Sequence, residues 1–260
     1  MAKRFHNRVA LVTGAASGLG RVAAQVFARE GAKVIVSTDA NIKGGEETVR
    51  MIKSAGGEAT FVKCDVSKAV DVEAMVNKCV QTYGRLDYAF NNAGIGPDGK
   101  RVPIVPIVDC PEEIWDRTID INLKGVWLCL KYEMRQMLKQ KYGAIVNTSS
   151  VGGLKSVRGF CAYSASKSGV IALTKVAALE CAASGVRVNA VLPGPIARTL
   201  LIENLTSSVP EEKEILQKGI PMGHLGEPED IAEAVIWLCS DTAKFVTGLA
   251  MTVDGGLAST

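Results

Sequence analysis

Histidine is almost missing from this 260-residue chain, which contains only His6 and His224. Two histidines leave little material for a zinc site, and a serine–histidine catalytic pair is poorly supplied. The seven cysteines (64, 79, 110, 129, 161, 181 and 239) are odd in number and form no CxxC pair. Most sit inside apolar segments, so they read as small buried hydrophobes of a reducing cytoplasm rather than as a disulfide framework. No uninterrupted apolar run approaches the roughly 18 residues of a membrane span. Lys3-Arg4 leads into His6-Asn7-Arg8 and not into an apolar core, so no secretory signal and no membrane partner are expected. An excess of one charge is lacking too. Thirty basic residues against 27 acidic leave a formal +3, too small and too scattered to point to nucleic acid. Neither repeat nor low-complexity tract nor linker interrupts the chain, which predicts one domain over residues 1–260.

What is present is a full hydrophobic core (47% hydrophobic, 22% charged) arranged in alternating short β-type runs and amphipathic helical stretches. Strands are predicted at 9–13, 33–38, 59–64, 86–90, 144–149, 186–192 and 249–253. Helices are predicted at about 21–30, 42–55, 68–83, 111–140, 229–239 and from Tyr163 to about 183. A Pro/Gly-punctuated loop at 95–110 reads as a pocket rim, and the polar stretch 196–222, with Thr206-Ser-Ser-Val-Pro210, as a mobile helical flap. Such alternation implies an α/β fold of the Rossmann type: a doubly wound parallel sheet of about seven strands with helices on both faces. Ligands bind such sheets at the carboxyl ends of the strands, and the notable residues of this chain fall there.

Thr13-Gly-Ala-Ala-Ser-Gly-Leu-Gly20 lies between the first strand and its helix. Glycines 14, 18 and 20 permit a tight turn and close approach of backbone N–H groups to a pyrophosphate at a helix N-terminus. The second strand ends at Asp39, about 20 residues further on, where a carboxylate can accept from adenosine ribose hydroxyls and repel a 2′-phosphate. No Arg or Lys occupies the glycine turn or residues 37–42, which favours NAD over NADP. Asn91-Asn92-Ala93-Gly94 supplies small and amide side chains at the end of the fourth strand. Asn122 interrupts an apolar helical face, either as a satisfied core amide or as a kink holding an ordered water. Tyr163 and Lys167, at i and i+4, project from one helix face, so the ammonium can sit beside the phenol and favour its ionised form. Lowering a tyrosine by ~3 units would take ~4 kcal/mol, more than one distant charge provides. A cationic cofactor is the obvious second source.

With these residues in hand, the chain resembles the short-chain dehydrogenase/reductase family over essentially its whole length. The matching pieces are residues 13–20, Asp65-Val66, Asn91–Gly94, Asn122, Ser150, Tyr163-x3-Lys167, Pro193-Gly194 and Val253-Asp-Gly-Gly256. The resemblance implies that Tyr163 is the acid/base on the substrate oxygen and that Ser150 hydrogen-bonds the same atom. It further implies that Lys167 lowers the Tyr163 pKa and holds the nicotinamide ribose, and that Asn122 anchors a relay water. Cofactor contacts are implied for Gly14, Ser17, Gly18, Leu19, Gly20, Asp39, Asp65, Val66, Asn92, Ala93, Gly94, Pro193, Gly194, Ile196 and Thr199. A homotetramer is implied as well.

Two departures stand out. The family often reads Pro-Gly-x-Ile-x-Thr, whereas Pro193-Gly-Pro-Ile-Ala-Arg-Thr199 is one residue longer, so either Thr199 reaches the nicotinamide carboxamide or Arg198 faces the pocket. The ribose-binding acid of many NAD-using relatives stands one residue earlier, where this chain has Thr38. The expected activity is NAD-dependent interconversion of a small secondary alcohol and its ketone, on a rather apolar, cyclic substrate walled by Val151, Leu154, Phe160 and the flap. Alternatives are an NADPH-dependent carbonyl or 3-oxoacyl-thioester reductase, or a catalytically silent dinucleotide-binding scaffold.

Overall fold

The computed structural model describes residues 3–98, 101–206 and 210–259. Its centre is a seven-stranded sheet in the order β3-β2-β1-β4-β5-β6-β7, every neighbouring pair parallel. The strands are β1 (Val9–Thr13), β2 (Lys33–Thr38), β3 (Glu58–Lys63), β4 (Tyr88–Asn91), β5 (Gly143–Thr148), β6 (Val186–Pro193) and β7 (Ala250–Val253). Helices α1 (Gly18–Arg29), α2 (Ile42–Ser54), α3 (Ala69–Tyr83), α4 (Glu112–Ile119), α5 (Gly125–Gln140) and α6 (Cys161–Cys181) connect them. Helices α7 (Leu200–Thr206), α8 (Pro210–Lys218) and α9 (Pro228–Cys239) lie between β6 and β7.

Side chains alternate across a strand, so a sheet covered on both faces needs apolar residues at successive positions. β1 meets this requirement in Val-Ala-Leu-Val, with Val9, Ala10, Leu11 and Val12 all buried. Ala10 and Val12 join one core with Phe27 of α1, Ile52 of α2 and Ile231 of α9. Val9 and Leu11 join the other, with Met75 of α3, Met137 of α5 and Val170 of α6. Five cysteines are buried within these elements or beside them, while Cys110 and Cys161 are half-buried; all seven are free thiols. Burial pushes Cys64, Cys79 and Cys239 up to about 12, as befits inert packing groups.

The predicted long helix over 111–140 is divided. Between α4 and α5 the chain makes a five-residue π turn, Asp120–Lys124, whose closing Gly125 N–H bonds to Asp120 O. Asn122 sits inside it, fully buried. The predicted flap contains α7 and α8; residues 207–209, within the Thr206–Pro210 run, lie outside the described residues. The sheet changes winding direction at β1, which is flanked by β2 on one side and β4 on the other. The crevice at that reversal is where an open α/β sheet accepts a ligand.

Candidate active site

The glycine turn is the floor of this crevice. Gly14 and Gly18 hold φ of +64° and +50°, a left-handed conformation that side chains resist. A Cβ on Gly20 would come 2.4 Å from Gly14 O and 2.7 Å from Asn92 Nδ2, so only glycine lets α1 start this close to β4. Ser17 is the N-cap residue of α1 but makes no side-chain cap bond, leaving its hydroxyl available beside the exposed first N–H groups of the helix. This open cradle of backbone donors fits a dinucleotide pyrophosphate. Asn92 and Ala93 are tied to the turn through their backbone N–H groups, which donate to Thr13 Oγ1 at 3.0 and 3.1 Å.

The next part of the site comes from β5 and α6. After β5, Ser150 begins a short 3-10 turn and its Oγ accepts the Gly152 N–H at 3.0 Å. Gly153 packs directly on α6: a Cβ there would meet the Lys167 carbonyl carbon at 2.8 Å. Ser168 Oγ donates to Gly153 O at 2.7 Å and Ser149 Oγ to Lys167 O at 2.7 Å. These contacts bring Ser150 against the helix face that carries Tyr163 and Lys167. The Lys167 Nζ donates to Thr148 O at 2.8 Å and stands 5.7 Å from the centre of the Tyr163 ring. Burial lowers Lys167 to about 8. Burial likewise pushes the Tyr163 phenol above its ordinary value, with hydrogen bonding to Ser150 opposing it. The chain's own groups therefore do not bring the phenol down to neutral pH, which agrees with the need for a second positive charge.

Asn122 settles the third side. Its Oδ1 accepts from Ile95 N at 2.8 Å, and its Nδ2 donates to Ile95 O at 2.8 Å and to Ser166 Oγ at 3.3 Å. Both ends of the amide are used, so it is a satisfied core amide and the marker of the π turn at once. A Cβ on Gly94 would lie 3.1 Å from its Oδ1 and 3.6 Å from Lys167 Nζ.

A cavity of about 200 Å³ joins these parts, lined by Ser17, Gly18, Leu19, Asn92, Gly94, Ser150, Tyr163, Lys167, Pro193, Gly194, Ile196 and Thr199 among the expected residues. Gly14, Gly20, Ala93 and Asn122 stand behind its wall, supporting it. Asp39, Asp65 and Val66 do not line it. They follow the neighbouring strands β2 and β3, with Asp39 exposed. The Asp65 carboxylate accepts from Ser67 N and Oγ at 3.0 and 2.7 Å and pairs with Lys68, and these partners hold it below its ordinary range.

The longer Pro193–Thr199 segment resolves as follows. Arg198 takes a left-handed φ of +56° and turns away from the cavity, its Nε 2.9 Å from Glu227 and its Nη2 on Glu229. Thr199 lines the cavity while its hydroxyl donates to Ile196 O at 2.8 Å. The expected apolar wall is corrected in part: Val151, Leu154 and Phe160 do not line the cavity, and Leu154 is 54% exposed. Leu200, Leu201, Ile202 and Ile95 form the wall instead. Arg101, which no sequence motif singles out, also lines the cavity, from the 95–110 loop. Its one sequence signal was the Asp98-x2-Arg101 spacing.

Beneath the cavity, Glu133 of α5 is fully buried and accepts from Asn91 Nδ2 at 2.9 Å. Asn91 Nδ2 also donates to Asn147 Oδ1 at 3.0 Å, and Asn147 Nδ2 to Thr174 Oγ1 at 3.0 Å. Burial raises the Glu133 carboxyl to about 7.

A family model described as enoyl-(acyl carrier protein) reductase matches residues 14–258. A cyclohexanol dehydrogenase of Acinetobacter sp. (strain SE19) is 41% identical over 100% of this chain and 98% of its own length. The 3-oxoacyl-[acyl-carrier-protein] reductase FabG of Thermotoga maritima is 39% identical over 98% of this chain and 99% of its own. The solved structure of a levodione reductase superposes with a TM-score of 0.93 at 34% identity, covering 98% of this chain and 99% of the other. Full-length matches at this identity, on the sheet order and crevice described above, decide the matter: the chain belongs to the short-chain dehydrogenase/reductase family and is an oxidoreductase of CH–OH groups that uses a nicotinamide dinucleotide.

Proposed function

We propose that the protein is an NAD-dependent dehydrogenase interconverting a secondary alcohol, of cyclic and mainly apolar skeleton, and its ketone. The observation that carries this reading is the convergence of Ser150, Tyr163 and Lys167 on one cavity whose opposite wall is Leu200, Leu201 and Ile202. The similarity to a cyclohexanol dehydrogenase along the whole chain supports the substrate class.

In the oxidation direction Tyr163 takes the proton of the substrate hydroxyl. Ser150 Oγ already accepts the Gly152 N–H, so its own hydrogen is available to donate to the substrate oxygen and hold it in line with the phenol. Lys167 is cationic below about pH 8, and its charge beside the ring favours the phenolate that oxidation needs. Its hydrogen bond to Thr148 O uses one of three N–H donors, leaving two for the cofactor ribose and for proton exchange. The bound dinucleotide supplies the hydride acceptor. Ser17, Gly18 and Leu19 are assigned to its pyrophosphate, Thr199 and Ile196 to its nicotinamide end, and Asp39 to the adenosine ribose. Asp65 and Val66 are assigned to the adenine. Because the Asn122 amide is fully engaged, a relay water beside Lys167 would be held by backbone carbonyls of the π turn.

NAD is favoured over NADP by the exposed Asp39 carboxylate and by the engagement of the basic side chain next to the glycine turn. Arg21 Nε donates to Thr48 Oγ1 at 3.0 Å and its Nη2 to the Ala16 and Gly44 carbonyls. A 3-oxoacyl-thioester reductase is the second reading, supported by the FabG similarity. Exposed apolar side chains on α5 and α6, Trp127, Val176 and Leu179, together with Phe245, support the homotetramer. The seven free thiols support a cytoplasmic location. The deciding experiment titrates wild-type protein and Asp39→Ala with NADH and NADPH, then offers cyclic, aliphatic and sugar alcohols. NADH preference that collapses in the variant, with turnover of cyclic alcohols, is expected. Equal or tighter NADPH binding would move the thioester reductase to first place, and turnover of sugars alone would end the apolar-substrate reading.

A further inference from the structure

Among the described residues the cavity is electrically one-sided: two cations line it, Lys167 and Arg101, and no carboxylate does. Lys167 stands beside Tyr163 and donates to Thr148 O, its remaining donors being assigned to the cofactor ribose and proton exchange. Arg101 stands in the loop after β4, and its surroundings show how it is aimed. Its Nε donates to Asp98 Oδ2 at 2.6 Å, and its backbone N–H to Asp98 Oδ1 at 2.6 Å. The Asp98 side chain has no exposure at all, whereas that of Arg101 keeps 36%. The acid is thus buried beside the base, and of the two it is Arg101 that lines the cavity. Asp98 Oδ2 also accepts from Asn204 Nδ2 of α7 at 3.1 Å, which anchors the same assembly to the helix bearing the apolar wall. An arginine held by Nε keeps its four Nη hydrogens, set in a planar fork, for another acceptor. Among the described residues Asp98 is the one acceptor of that guanidinium.

From this arrangement we infer that the substrate carries a carboxylate, and that Arg101 is the specificity residue that binds it while the apolar wall packs its aliphatic or alicyclic skeleton. The inference rests on the alcohol dehydrogenase reading of the same site and narrows it: the alcohol or ketone oxygen goes to Tyr163 and Ser150, and the anionic end to the Nη edge of Arg101. Leu201 and Gly96 line the same cavity beside the phenol. A Cβ on Gly96 would meet Leu201 Cδ1 at 3.2 Å and Tyr163 Cε2 at 3.7 Å, so the loop passes close over the phenol before reaching Arg101. A buried counter-ion that fixes a cation's direction without sharing the cavity is the arrangement anion recognition needs, because the guanidinium is ordered before the ligand arrives.

The test uses whole protein saturated with NADH, whose neutral nicotinamide ring adds no positive charge, and compares two probes of nearly one shape. Cyclohexanecarboxylate is charged and cyclohexanecarboxamide is not. Wild type is expected to bind the carboxylate about tenfold or more tighter than the amide, as a charge-assisted bond requires. Arg101→Gln should bring that ratio to near one, and Arg101→Lys should restore part of it. Arg101→Gln takes a cation from the buried Asp98, so the double variant Asp98→Asn/Arg101→Gln is measured beside it to separate lost recognition from a disturbed loop. Equal or undetectable binding of both probes by wild type overturns the proposal. So does a preference that survives in Arg101→Gln and disappears in Lys167→Met, which would make the lysine the anion site. Oxidation of neutral cyclohexanol and of hydroxylated cyclohexanecarboxylates with NAD is followed in the same proteins. Turnover of neither by wild type would strike the alcohol dehydrogenase reading, whatever the binding ratio shows.

Discussion

Glu133 offers the sharpest physical test of the structure, because it should weaken the protein at the pH where the protein works. The side chain is fully buried on α5 and, among the described residues, receives a single hydrogen bond, from Asn91, and has no cation set against it. Its titratable neighbours, Cys64, Cys79 and Cys129, are thiols that burial raises and keeps neutral. Burial moves the carboxyl from 4.5 to about 7, so across that interval the folded chain keeps a proton that the unfolded chain has released. The contribution to stability is then complete below about pH 4.5 and is lost as pH rises through about 7. At about 1.4 kcal/mol for each tenfold change in proton affinity, ionising Glu133 costs about 3 kcal/mol at pH 8. Glu133→Gln keeps the shape and the acceptor for Asn91 but cannot ionise. Urea unfolding at fixed protein concentration should therefore find the variant more stable than wild type by about 3 kcal/mol at pH 8 and nearly equal to it at pH 4.5. A difference that is the same at both pH values would show that Glu133 does not change its charge between them. A wild type more stable at pH 8 would show that the ionised carboxylate has a compensating partner.

Lys167→Met should abolish turnover, by about a thousandfold or more in kcat, with little loss of stability near neutral pH. The lysine's folded-state pKa is lowered to about 8 from 10.5, so in a melt series wild type should gain stability relative to the variant as pH rises between those values, the buried thiols acting alike in both. Gly94→Ala pushes a methyl toward Asn122 Oδ1 and Lys167 Nζ, and kcat should fall about tenfold or more while the melting temperature drops by only a few degrees. Arg198→Gly exchanges two exposed ion pairs for a residue suited to φ +56°; steady-state kinetics should leave both kcat and KM unchanged, since the side chain faces Glu227 and Glu229.

The strand–helix alternation and the Ser150-Tyr163-Lys167 group were legible because each rests on short-range pattern: buried runs of four or five apolar residues, glycines at turns, and an i, i+4 pair. Four features were not. The π turn adds one residue to a helical ladder and scarcely disturbs the apolar spacing of 111–140, so a buried Asn122 was its only trace. Arg198 was ambiguous because the choice between it and Thr199 depends on one left-handed residue and on two acids, Glu227 and Glu229, roughly 30 positions away. The wall residues were misassigned because Val151, Leu154 and Phe160 follow Ser150 in sequence, but the 3-10 turn packed on α6 carries them away from the cavity. Arg101 escaped notice because its meaning comes from a buried Asp98 and from Asn204 on a distant helix, and charge pairs across a loop leave no periodicity.

The Asn122 amide is, in effect, a peptide group borrowed from a side chain. By answering both the N–H and the C=O of Ile95, it pairs with the loop as a neighbouring strand would, four residues past the end of β4. The chain up to Ile95 is consequently indexed to the same helical framework as Tyr163 and Lys167, while the stretch that follows, with Asp98 and Arg101, is hinged on that pairing. On the roles proposed above, reaction chemistry and substrate choice thereby fall on opposite sides of a single joint.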